Sequence, residues 1–126
     1  MIFLDTSLLV DALTGSRRSA AALRSAVREG ERILLSSLVL YEWVRGPRLA
    51  HELASQESLF PSEAAVPFGW REAALSAKLY RSVSRARGRE MDLAIAACAI
   101  THEAAFWTLN TADFKDIPGL RLYSPV

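Results

Sequence analysis

Residues 93–100 constrain the fold more than any other segment, because all eight of them are apolar. A helix that crosses a bilayer needs about 20 such residues, so this run predicts instead a helix over 90–104 that is apolar on all sides and buried in a soluble protein. A buried helix needs other elements around it. A chain of 126 residues can supply them in one domain but is too short for two, and we predict a single domain over 1–126.

Short apolar runs alternate with helical patterns through the rest of the chain. The predicted strands are 1–4, 32–37, 106–109 and 120–123. The other predicted helices are 8–15, 16–29, 38–45, 48–59 and 70–87. Strands separated by helices favour parallel pairing, so we expect an α/β fold with a mostly parallel central sheet and helices on both of its faces.

Composition excludes several classes of protein. Cys98 is the single cysteine, so a disulfide scaffold and a zinc module are both excluded, and a reducing cytoplasm is the expected location. Asp5 and Asp11 interrupt any secretory apolar segment at the start, and no membrane partner is expected. The formal net charge of +1 argues, at face value, against a polyanionic partner.

Two acidic residues follow predicted strands. Asp5 comes directly after the first strand, and Asp113 follows the strand at 106–109. Because ligands bind beyond the carboxyl ends of parallel strands, both side chains are candidates for a site at that edge of the sheet. The simpler alternatives are that Asp5 only caps the next helix and that Asp113 is an ordinary turn residue.

Two further acids lie in predicted helices. Asp92 has Ile95, Ala96 and Ala99 at helical spacing, which places its carboxylate on an apolar face where it needs a partner. Glu42 lies in the helix over 38–45, where an ion pair with a basic residue three positions later is the simpler explanation.

If the four acids meet at one edge of the sheet, their mutual repulsion has to be relieved. Two carboxylates 4 Å apart repel by about 4 kcal/mol at an effective dielectric near 20, so such a cluster either takes up protons or holds a cation. No histidine or cysteine belongs to these motifs, and an all-oxygen site suits Mg²⁺ or Mn²⁺. The pattern therefore predicts a metal-dependent nuclease or phosphatase. Without the four acids, fifteen basic residues against ten acidic ones leave +5 on the rest of the chain, so the net charge of +1 is compatible with an enzyme that acts on a polyanion.

Four segments match one known family in order along the whole chain. They are residues 2–7 (IFLDTS), 41–46 (YEWVRG), 91–97 (MDLAIAA) and 108–123, which includes Asn110 and the pair Asp113-Phe114. Successive acids in them are 37, 50 and 21 positions apart. In these segments the chain resembles the PIN-domain ribonucleases, and specifically the VapC-type toxins of bacterial and archaeal toxin–antitoxin pairs.

The resemblance implies a site and a reaction. Asp5, Glu42, Asp92 and Asp113 would form the catalytic acidic quartet, and the three aspartates would hold Mg²⁺ or Mn²⁺. Thr6 would support the first carboxylate through its hydroxyl. Some PIN domains have a carboxylate at the position of Asn110, which here would have a supporting role. The family's reaction is endonucleolytic cleavage of RNA, with structured tRNA or rRNA expected, to give 5′-phosphate and 3′-hydroxyl ends.

The resemblance also implies partners. A cognate VapB-type antitoxin would lay an apolar segment across a groove formed by the early helices, with Leu8, Leu9 and Leu13 as candidate contacts, although core packing explains these leucines equally well. A homodimer is common in the family. The main alternative to an enzyme is a PIN-like module that has lost catalysis and only binds RNA or protein.

A basic stretch precedes Asp92 and is a candidate for binding the RNA backbone. Its arginines are Arg81, Arg85, Arg87 and Arg89, with no acidic residue among them. If they lie near the site they would contact phosphates without recognising sequence. The alternative is an ordinary solvated helix face.

Overall fold

The computed structural model describes residues 1–125 and contains four strands and six α-helices in them. The strands are β1 (Ile2–Leu4), β2 (Ile33–Leu34), β3 (Ala105–Trp107) and β4 (Arg121–Leu122). The helices are α1 (Thr6–Leu13), α2 (Ala20–Arg28), α3 (Ser37–Arg45), α4 (Ala50–Leu59), α5 (Trp70–Ser82) and α6 (Glu90–Thr101). Short 3-10 turns occur at Ser62–Ala64 and Thr111–Asp113. Among these helices, none is both long and apolar enough to cross a membrane.

The strands form one sheet in the order β2-β1-β3-β4, and every pair is parallel. Phe3 of β1 is in register with Leu34 on one side and Phe106 on the other. Both phenylalanines are almost completely buried, as central strands require when helices cover the sheet. The predicted α/β class with a parallel sheet is confirmed, and the carboxyl ends of β1 and β3 lie side by side.

Helix α6 is buried, as its composition predicts. Leu93 and the whole run from Ile95 to Ala99 are buried, and the helix packs against α3, α5 and β3. Small residues at 94, 96, 97 and 99 allow these elements to approach closely. The first turn of α6, which carries Asp92, is thereby fixed relative to the sheet.

Two predicted helices were wrong by four or more residues at one end. The predicted helix over 70–87 ends at Ser82, because Val83 is extended and Ala86 turns inward and is buried. Arg85, at φ 56°, makes the turn between them. The predicted helix over 16–29 begins at Ala20, after a turn in which Arg17 also has a positive φ.

Candidate functional site

Asp5 lies at the carboxyl end of β1 and is only 5% exposed. It caps α1, since its Oδ1 accepts a hydrogen bond of 2.9 Å from the Thr6 backbone amide. Its Oδ2 accepts hydrogen bonds from the Ser7 hydroxyl at 2.9 Å and from the Thr108 hydroxyl at 2.6 Å. Burial raises the pKa of Asp5 above its usual value, although these hydrogen bonds oppose the shift.

Ser7 and Thr108 were missed by the sequence analysis. Their hydroxyls join the ends of β1 and β3: Ser7 accepts from the Leu109 amide at 3.1 Å, and Thr108 accepts from the Asn110 amide at 3.0 Å. Thr108 directly follows β3 at the edge where Asp5 ends β1, and that placement was the available signal. The network fixes the Asp5 carboxylate and the start of the loop that carries Asp113.

Thr6 supports a different carboxylate from the one predicted. Its hydroxyl donates to Oε1 of Glu42 at 2.5 Å, and only its backbone amide reaches Asp5. The reason is that Thr6 begins α1, which packs against α3, where Glu42 lies. Glu42 also has the predicted neighbour three residues on, with Nη2 of Arg45 at 3.9 Å from its Oε2. This hydroxyl thus ties α1 to the second acid of the site.

Asp92 lies in the first turn of α6 and is half-buried. Burial raises the pKa of Asp92, and repulsion from Asp5, Asp113 and Glu42 raises it further, while Arg89 only partly offsets these effects. Within residues 1–125, no group donates a hydrogen bond to this carboxylate. The other three acids therefore lie close enough to Asp92 for their charges to disfavour its ionised form.

Asp113 is exposed and lies in the 3-10 turn Thr111–Asp113. Its backbone carbonyl accepts a hydrogen bond of 2.9 Å from Nη2 of Arg89. The same guanidinium donates hydrogen bonds to the Asp116 carboxylate from Nη1, at 2.9 Å, and from Nη2, at 2.7 Å. Arg89, predicted to contact RNA, therefore fastens the loop that carries Asp113 to the start of α6.

The four predicted acids line one pocket with a volume of about 460 Å³. Thr6 and Asn110 line it with them, as do Arg45, Gly46 and Arg48 at the end of α3. The pocket lies beyond the carboxyl ends of β1 and β3, where a parallel sheet is expected to bind ligands. The convergence expected from the sequence is thus present in the structure.

The chemistry of the pocket suits a hard cation. The side-chain oxygens that line it include those of four carboxylates and one amide. Burial and repulsion already destabilise the negative charges of Asp5 and Asp92. In the described part of the chain, no three His, Cys, Asp or Glu side chains are grouped closely enough to hold an ion by themselves. Mg²⁺ commonly keeps several waters and takes only one or two carboxylates directly, so a wide carboxylate pocket fits such an ion.

The other predicted RNA contacts lie elsewhere. Arg81 lines a separate surface depression together with Tyr80 and Glu90. Arg85 and Arg87 are exposed on the loop 83–89. These three arginines do not line the acidic pocket.

A second, apolar groove of about 430 Å³ lies among α1, α2 and α4. Its apolar lining includes Leu13, Leu23, Val27, Leu59 and Phe60, and its basic lining is Arg17, Arg24 and Arg28. Leu8 and Leu9, predicted as candidate contacts, are fully buried in the core instead. Of the three predicted leucines, only Leu13 reaches the groove.

Comparisons with known proteins agree with this architecture. The family model of the PIN domain matches residues 2–120. Ribonuclease VapC19 of Mycobacterium tuberculosis is 34% identical over 128 residues, covering 96% of this chain and 98% of that protein. A toxin-antitoxin complex from Klebsiella pneumoniae contains a similar chain, with a TM-score of 0.72, 25% identity and coverage of 100% and 98%. DNA-bound VapBC from Salmonella typhimurium shares the fold, with a TM-score of 0.75, 23% identity and coverage of 97% and 96%.

Proposed function

Because the chain belongs to the PIN-domain family, and within it to the VapC type, we propose that it is a Mg²⁺- or Mn²⁺-dependent endoribonuclease and the toxin of a type II toxin–antitoxin system. Its substrate is structured RNA, tRNA or rRNA, and its products carry 5′-phosphate and 3′-hydroxyl ends. VapC19, its curated relative, is named a ribonuclease. The observation that carries the proposal is the convergence of Asp5, Glu42, Asp92 and Asp113 on one pocket.

Each residue of the pocket has a role in the proposal. Asp5, Asp92 and Asp113 hold the ion, and the ion, when bound, supplies an activated water and neutralises charge on the phosphate. Glu42, oriented by the Thr6 hydroxyl, completes the negative side of the pocket. Asn110 lines the same pocket and supports the site through its amide.

The test is cleavage of total cellular RNA by the purified chain, freed of any partner, with Mg²⁺, with Mn²⁺ and with a chelator. Asp92→Asn is expected to lower the rate by at least about a hundredfold, because it removes one of the three carboxylates that hold the ion in this proposal. Glu57→Gln is the matched control, since Glu57 is an exposed carboxylate on α4 outside the pocket. Asp92→Asn as active as the parent would refute the assignment. RNA bound but left intact by the parent would favour the non-catalytic module.

We propose that the apolar groove binds a cognate VapB-type antitoxin. An amphipathic segment with apolar residues facing Leu23 and Val27, flanked by acidic residues facing Arg24 and Arg28, complements its lining. Co-purification with a short VapB-type protein that is expressed together with this chain tests the idea. Val27→Asp, which puts a charge in the groove, should abolish capture, whereas Ala21→Asp on the exposed face of α2 should not. Equal capture by both variants would place the partner elsewhere.

Three further expectations accompany this proposal. The chain acts as one domain, forms a homodimer and works in the cytoplasm. Sedimentation of the purified chain, alone and with its antitoxin, tests the second expectation, and a monomer under both conditions would contradict it.

A further inference from the structure

Arg48 lines the acidic pocket, and two contacts with Trp43 restrict its side chain. Its Nε donates a hydrogen bond of 2.9 Å to the Trp43 carbonyl, and its guanidinium carbon lies 4.4 Å from the centre of the Trp43 ring. Trp43 is fully buried, so the surface on which Arg48 stacks belongs to the core. Contact with both the ring and the carbonyl limits the rotamers of an otherwise flexible side chain.

Gly46 makes room for this arrangement. Its backbone, at φ −73° and ψ 170°, is extended and open to any residue, so no backbone strain requires glycine here. A Cβ at position 46 would lie 2.5 Å from Nη2 of Arg48 and 2.8 Å from its guanidinium carbon. The absence of a side chain therefore lets the guanidinium cross the backbone beside the pocket.

Arg48 differs from the other cations near the acids. Arg89 is bound by Asp116, and Arg45 lies 3.9 Å from Glu42, whereas Arg48 has no ion pair within residues 1–125. A guanidinium has five N–H donors, and only Nε is engaged in the structure. The Nη groups therefore remain available to an anion at the pocket, although four carboxylates line the same pocket.

We propose that Arg48 binds a backbone phosphate of the RNA substrate and that Gly46 is the positioning residue that permits it. This inference rests on the proposed ribonuclease function. A guanidinium fork matches two phosphate oxygens, and an immobilised fork loses little side-chain entropy on binding. Since Arg48 lines the pocket of the four acids, the phosphate it binds is at or beside the one that is cut. The contact is with the backbone, so it adds affinity and position but no sequence preference.

The experiment measures binding of fluorescently labelled bulk tRNA across a salt series. All variants carry Asp92→Asn so that the RNA stays intact. Arg48→Ala is expected to weaken binding about tenfold and to reduce the slope of log K against log salt by about 0.7 to 0.9, the share of one phosphate contact. Arg48→Lys should keep the slope but lose affinity, because the charge remains and the fork is lost.

Two variants separate position from charge. Gly46→Ala keeps every charge but displaces the guanidinium, and it should weaken tRNA binding and raise KM for cleavage by the otherwise unaltered chain. Arg71→Ala is the matched control: Arg71 also stacks on a tryptophan, 5.3 Å from the Trp70 ring centre, yet it does not line the pocket. The tRNA affinity of Arg71→Ala and the salt dependence of that affinity should equal those of the parent. Thermal unfolding shows that each variant is folded.

The inference is overturned if Arg48→Ala, folded, binds tRNA with unchanged affinity and slope. If Arg48→Ala instead loses antitoxin capture while its tRNA binding is unchanged, the inference is also overturned, because Arg48 would then bind an acidic residue of the antitoxin. Cleavage by the chain with an unaltered pocket is measured in parallel. Its absence would refute the ribonuclease proposal, while the binding comparison would still decide whether Arg48 contacts phosphate.

Discussion

Replacement of Arg89 with alanine tests how the Asp113 loop is held. Arg89 makes two hydrogen bonds to Asp116, one to the Asp113 carbonyl and a longer one, 3.3 Å, to the Ser84 carbonyl. Asp116 is 46% exposed, so solvent screening limits the ion pair itself to under about 1 kcal/mol. The two carbonyl bonds add about 0.5 kcal/mol or more each. We expect Arg89→Ala to lower the free energy of unfolding by about 2 kcal/mol.

Urea unfolding at pH 7 measures this loss, and a double-mutant cycle with Asp116→Ala isolates the pair. The hydrogen bonds from Arg89 lower the pKa of Asp116, so the pair's contribution is present above about pH 4 and is lost as the pH falls through the folded-state pKa. Arg81→Ala is the control, because Arg81 is exposed and outside the loop contacts, and it should change stability by less than about 0.5 kcal/mol. If Arg89→Ala loses as little stability as the control, Arg89 does not hold the Asp113 loop in place.

Three further predictions concern charge and burial. Glu72→Gln should lower the free energy of unfolding, measured in urea at pH 7, by about 1 to 2 kcal/mol. Burial raises the pKa of Glu72, but hydrogen bonds from Thr101 and Gly69 outweigh burial and lower the pKa overall. The loss of stability should therefore shrink as the pH falls through that lowered pKa. Burial raises the pKa of Cys98 to about 12, so an aromatic disulfide reagent at pH 8 should label it only after unfolding, and rapid labelling of the native chain would contradict the packing of α6. In chelator, Asp92→Asn should raise the melting temperature, because a carboxyl whose pKa is raised in the folded state destabilises that state at neutral pH. The expected gain in the free energy of unfolding is at most about 1 kcal/mol after allowance for solvent screening. A lower melting temperature would show that Asp92 has a favourable partner.

The sequence predicted the parts of the site that follow from periodicity and topology. Asp5 ends a strand, Asp92 begins a helix that has to be buried, and parallel strands bring their carboxyl ends to one edge. These facts place two of the acids together without any knowledge of side-chain directions. The parallel sheet and the meeting of the acids at one edge could therefore be predicted from apolar periodicity and strand order alone.

The parts that failed depend on contacts between distant residues. The pattern of apolar residues continues through Val83, but Ala86 packs into the core in a conformation that ends α5, and no local signal separates the two outcomes. The Thr6 hydroxyl could reach either neighbouring acid, and only the packing of α1 on α3 selects Glu42. The partner of Arg89 lies 27 residues away, so its position beside Asp92 in sequence says nothing about which carboxylate it neutralises.

The choice of partners determines whether the pocket can still attract a cation. If Arg89 bound Asp92 directly, its positive charge would neutralise that carboxylate, and a divalent ion would gain less by entering the pocket. Arg89 instead binds Asp116, and its effect on the pKa of Asp92 is smaller than the combined effects of burial and the other acids. Arg48 likewise stacks on Trp43 rather than pairing with a carboxylate. Four carboxylates and a guanidinium that has no ion pair in the described part of the chain thus line the same pocket. Under the proposed function, the carboxylates would attract a metal ion and Arg48 a phosphate. A net charge near zero is therefore compatible with an enzyme that acts on a polyanion.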